Sequence, residues 1–241
     1  MRSGNPALSA ETFKNVEGAG AEKMTISGTV NKTAMSLLLL MATASYTWMN
    51  DSPGLMILGF IGGFIMAIIT IFNKTWAPYT VSAYALLEGL ALGGISRIFE
   101  ENYPGIASQA IFLTFGILAA LLLAYKTGFI KPTENFKLGV FAATGGIFIM
   151  YLISFIMNIF GSGISILHTN NTSMLSIGFS LFVVVIASLN LVFDFDFIEE
   201  GAERGVPKYM EWYGAFGLLV TLIWLYLEIL RLLAKLYSRR S

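Results

Sequence analysis

Sulfur chemistry and charge are what this sequence is short of. None of its 241 residues is Cys, which excludes disulfides, iron–sulfur centres and thiol nucleophiles and leaves the redox compartment open. The one His, His168, is too little for a His-built metal site or a serine triad. Charged residues are 12% of the chain, against about 25% in a soluble domain, too few to cover a soluble protein of this size. The formal net charge is zero, so nothing points to nucleic acid as a partner. What fills the space is apolar: 56% of residues are hydrophobic, 14% are aromatic, and the mean hydropathy is +0.71. That composition suits a surface that faces lipid.

A helix needs about 20 mostly apolar residues to cross the hydrocarbon core. Seven segments qualify on reading: 29–49, 54–72, 78–99, 106–125, 136–160, 174–197 and 212–236. A membrane β-barrel would alternate apolar and polar residues, and the run Gly54–Phe72 does not alternate. The expected fold is therefore an all-α membrane protein, a seven-transmembrane-helix bundle over 29–236. A polar N-terminal tail, 1–28, precedes it and a basic C-terminal tail, 237–241, follows. The tail lacks the basic-then-apolar layout of a cleaved signal peptide. Short turns such as Asn50–Pro53 and Asn73–Ala77 leave no room for an extramembrane domain. Trp48, Trp76, Trp212, Tyr125 and Tyr209 fall at helix ends, the level of the headgroups.

With the N-terminus cytoplasmic, ten of the fifteen Lys and Arg lie on that side. The loops then obey the positive-inside rule and the C-terminal cations dissent. Glycines cluster at Gly59, Gly62 and Gly63, at Gly89, Gly93 and Gly94, and at Gly139, Gly145 and Gly146. Small residues of this kind let membrane helices approach closely.

Ionisable residues within the segments are costly and turn inward or toward water. Glu88 sits near the middle of the third segment with no cation within four residues. It is either a protonated, hydrogen-bonded Glu or part of an ion path. Asp194 and Asp196 close the sixth segment but, two residues apart, project about 200° from one another. Back from Asp194 by fours and threes run Asn190, Ala187, Val183, Ser180 and Ser176, a small or polar stripe. Back from Asp196 run Val192, Leu189 and Val185. Asp194, with Asn190, is thus the inward candidate, and Asp196 is expected to reach headgroups or pair locally. Glu228 precedes Arg231 by three, a favourable order for a local ion pair, on a face shared with Thr221, Trp224 and Lys235. His168 reads as a solvated loop residue, and the Asn-x-Ser/Thr matches at Asn170 and Asn171 matter only in a secretory pathway.

These segments resemble the Bax inhibitor-1/YccA family of membrane proteins. The motifs are YALLEGLALGGIS in the third segment, LLLAYKTGFIK after the fourth, LNLVFDFDFIEEG closing the sixth and LYLEILRLLAKL in the seventh. The sequence looks most like the bacterial branch, which implies residence in a bacterial cytoplasmic (inner) membrane. The resemblance also implies a proton-sensitive calcium leak, with a carboxylate pair between the last two helices as pH sensor and gate. The matching positions are Asp194 and Glu228. The second is Glu where the family pattern has Asp, and the connection between the two is longer than that pattern. Glu88, Asp196 and Asn190 join them as candidates for the ion pathway. The expected partners are the bilayer, protons and calcium in transit, with no resident cofactor or structural metal and no catalytic group set. A regulatory membrane protein that binds a protease or stress-response partner through the N-terminal tail is the alternative.

Overall fold

The computed structural model describes residues 22–130 and 132–240, and for Arg240 the backbone only. Most of the N-terminal tail on which the regulatory alternative relies lies outside them. Among the described residues there are seven long helices: α1 (Ile26–Met49), α2 (Pro53–Phe72), α3 (Ala77–Asn102), α4 (Ile106–Lys126), α5 (Glu134–Ile159), α6 (Met174–Glu203) and α7 (Met210–Arg240). No strand longer than a single bridge is among them.

Local chemistry sets the ends of these helices. Thr25, Thr133 and Ser173 cap α1, α5 and α6, each side chain accepting a hydrogen bond from the backbone N–H three residues on. Proline opens α2 and α3, where the missing N–H costs nothing. Gly105 takes φ 87 between α3 and α4, and Gly205 takes φ 61 between α6 and α7, backbone that a side chain would strain.

Six helices, α2 to α7, are long and apolar enough to cross a membrane. The expectation of seven crossings therefore stands at six by this measure. α1 falls short because its run Leu37–Met41 is flanked by Asn31, Lys32 and a succession of Thr and Ser. Residues 22–25 are ordered against the α6–α7 turn, and α7 continues through 237–240 as helix.

α7 is the axis of the bundle. Tyr213, Phe216, Leu219, Leu225 and Leu230 are almost fully enclosed by α1, α3, α4 and α6. α2 and α5 are outer helices, with Phe60, Phe64, Phe148 and Phe155 more than 60% exposed, as lipid-facing rings should be. Helix approach follows the glycines on one side only. A Cβ at Gly93 would lie 2.1 Å from Ala44 O, and one at Gly59 would lie 2.4 Å from Leu87 O, so α1 and α2 both ride directly on α3. Gly139, Gly145 and Gly146 on α5 face open space, and the expectation of close approach fails there.

Candidate functional site: a buried polar column between α5, α6 and α7

The face of α6 read from the sequence is the one that packs inward. Ser176, Ser180, Asn190 and Asp194 are all 2% exposed or less. α7 meets it with Thr221, Glu228 and Lys235, each 3% exposed or less, and with Arg231. Together they form a polar column running along the inside of an otherwise apolar bundle.

Asp194 is fully enclosed, and neither carboxylate oxygen has a hydrogen-bond partner. Thr221 approaches from α7 without meeting hydrogen-bond geometry. One turn earlier, Asn190 donates through Nδ2 to Thr144 Oγ1 (2.9 Å) and to Ile186 O (2.8 Å), while its Oδ1 is unpartnered. Three acceptor oxygens on one helix face are thus buried without a hydrogen-bond partner; among the described residues the other such side-chain atoms are Ser36 Oγ and Glu200 Oε2. A carboxylate in such a place is tolerated as the neutral acid, because ionisation would bury an unpaired charge.

Glu228 is not part of that cluster. Its Oε1 accepts from Tyr151 Oη (2.8 Å), and Arg231 Nη1 reaches both carboxylate oxygens at 2.8 and 3.0 Å. Arg231 also donates to Tyr151 Oη at 2.7 Å and lies over its ring. Thr221, which faces Asp194, lies seven residues before Glu228, about 10 Å along the helix. The local Glu228–Arg231 pair is therefore the one formed here, and the two carboxylates are not brought together.

Asp196 departs from expectation. Its partner is not local: Lys137 of α5, itself 6% exposed, binds its Oδ2 at 2.8 Å. Along the stripe that carries Asp196, Val192 is fully buried, Leu189 half-buried and Val185 47% exposed, so only its Asp196 end is enclosed. Glu88 lies half-buried between α2 and α3, with its Oε2 2.3 Å from where a Cβ on Gly63 would stand, so that glycine makes its room. His168 is exposed in its loop.

Sequence reading missed the contribution of α5. Lys137, Thr144 and Tyr151 recur every seven residues, two turns apart; Thr144 and Tyr151 engage the column at Asn190 and Glu228, and Lys137 binds Asp196 beside it. Val140, Ile147 and Ser154 share that face. Lys235 was also unread as a site. It is fully buried and donates to Ile166 O (2.9 Å), Ser180 Oγ (2.8 Å) and Ser176 O (3.4 Å), with no carboxylate among these acceptors. Along the column the order is thus Asp194, Glu228, Arg231, Lys235: carboxylates first, cations last. Among the described residues no three metal-ligating acids, His or Cys come together.

The helices and the buried column define a multi-spanning helical-bundle membrane protein with its polar chemistry turned inward. The profile of the Bax inhibitor 1 like family matches residues 5–238. The chain belongs to that family. A search among curated proteins finds no match to it.

Proposed function

We propose that this protein is a proton-sensitive cation leak, with calcium as the ion carried and Asp194 as the proton sensor. The N-terminus is cytoplasmic, α1 completes a seventh crossing, and the membrane is the cytoplasmic membrane of a bacterium. The observation that carries the reading is the set of three unpartnered, buried oxygens on Asp194 and Asn190.

The physics follows from that set. With Asp194 neutral, the column packs shut. Loss of its proton places a charge where no cation answers it, at a cost of several kcal/mol in the closed arrangement. The charge also supplies oxygen of the kind calcium takes. Calcium needs six to eight oxygen ligands, far more than this cluster offers, so the ion is cargo in transit. The element able to yield is α5, an outer helix that leans mainly on α6 and whose glycines contact nothing. Lys235 and Arg231 keep the far end closed to cations until the helices part.

The test is calcium flux into proteoliposomes at several pH values. Asp194→Asn keeps size and most hydrogen-bonding capacity but cannot change charge, so flux should lose most of its pH dependence. Equal pH responses from the wild type and Asp194→Asn would end the sensor role for this residue.

A further inference from the structure

α1 and α4 share few contacts; both lie against α3 and α7. Between them lies a groove of about 370 Å³ whose floor is Leu92, Gly93 and Ser96 of α3 and Leu222, Ile223 and Tyr226 of α7. Its hydroxyls are already satisfied. Ser96 Oγ and Tyr226 Oη bond each other at 2.7 Å, Thr114 donates to Ala110 O, Ser45 to Met41 O and Ser108 to Gly105 O. With these hydroxyl donors spent inside the protein and the remaining lining apolar apart from the Trp48 indole at the rim, the groove holds water poorly.

The walls continue onto the lipid-facing surface. Met41 and Met49 on α1 are 47% and 78% exposed, and Ile111 and Phe115 on α4 are 40% and 38%. The groove also has the length of one leaflet. It follows α1 from Leu37, at the helix midpoint, to Met49 at its end, about 18 Å. On α4 it runs from Ala107 to Phe115, about 12 Å. Half of the roughly 30 Å hydrocarbon core is about 15 Å. Trp48 stands at the outer end, at the depth of the headgroups.

We propose that this groove holds one acyl chain of a phospholipid from the leaflet that meets the C-terminal end of α1. An apolar groove, open sideways to hydrocarbon and one leaflet long, matches that chain in chemistry and length. The headgroup is not recognised. The nearest cation, Arg97, donates to Trp48 O at the rim but has its charge answered by Glu101 at 2.8 Å. Retention should therefore be indifferent to headgroup.

The experiment uses the full chain, reconstituted in phosphatidylcholine or in phosphatidylglycerol vesicles, extracted in a delipidating detergent and weighed by native mass spectrometry. The wild type should keep one phospholipid per chain from either vesicle. Ser45→Trp with Ser108→Trp fills the mouth from two exposed positions and should keep none. Ile61→Trp, on the open face of α2, should behave as the wild type. If the double variant does not fold, Ser45→Trp alone carries the test. Absence of lipid from the wild type, equal retention by the filled variant, retention of one headgroup only, or a second copy of the chain in place of lipid would each overturn the proposal.

Discussion

Glu228→Gln separates two accounts of this protein. In the structure, Glu228 is 2% exposed and answers the charge of Arg231, whose side chain is 29% exposed, while accepting from Tyr151. Removing one partner of a buried ion pair costs about 3–5 kcal/mol when the survivor is also buried. Arg231 is only partly enclosed, so the loss here is smaller, about 1–3 kcal/mol. At roughly 2–4 °C per kcal/mol for a chain of this size, the melting point in detergent should fall about 5 °C. Replacing both partners, as Glu228→Gln with Arg231→Met, should recover most of that, because the cost lies in the orphaned charge. Calcium flux should keep its pH dependence in the single variant, since the proton sensor is Asp194. An unchanged melting point together with a lost pH response would refute this: Glu228 would then share a proton with Asp194 in the working state.

The other predictions rest on single contacts. Lys137→Met should leave Asp196 unpaired and loosen α5, seen as faster amide exchange across 134–159 than in the wild type, with Asp196→Asn alone doing less. Lys235→Met should raise basal cation flux by removing the buried positive charge at the closed end, whereas Lys235→Arg, which keeps the charge, should leave it low. Gly28→Ala should destabilise the chain by about 2–4 kcal/mol, read as a lower melting point. Its Cβ would stand 2.0 Å from Glu211 Oε1, the atom that accepts from Thr25 N (3.1 Å) and Thr25 Oγ1 (2.9 Å). Lys208 holds the Glu22 carboxyl below its usual range, and Glu22 raises Lys208. The Glu22 contribution is present above its unfolded pKa and lost as pH falls through the lower folded one. The Lys208 contribution is present below its unfolded pKa and lost as pH rises through the higher folded one. The 22–25 segment should thus resist proteolysis best between about pH 5 and pH 10, and Glu22→Gln should flatten that profile.

Local regularities in the chain were readable and long-range pairings were not. The α6 stripe separated Asp194 from Asp196 because helical period alone decides which faces coincide. Glu228 and Arg231 were readable as a pair for the same reason. The partner of Asp196 was not, since Lys137 is 59 residues away and only the packing of α5 on α6 joins them. The seven-residue spacing of Lys137, Thr144 and Tyr151 was in the sequence, but an apolar helix with few polar residues gives no reason to group three of them. Lys235 looked like one more cation near a basic terminus. Its burial depends on the turn before α6 folding over it with Ile166 O. The glycines of α5 misled because closeness needs a facing helix, and none faces them.

The charge order along α7 has a consequence for membrane potential. Glu228, Arg231 and Lys235 together carry one net positive charge. A slide of α7 by one turn, about 5.4 Å of a roughly 30 Å core, moves that charge through about a fifth of the field. At about 2.3 kcal/mol per charge per 100 mV, the slide gains about 0.4 kcal/mol, a factor of about two in equilibrium. A resting potential can bias such a motion but cannot throw it. A proton leaving Asp194, at several kcal/mol, can.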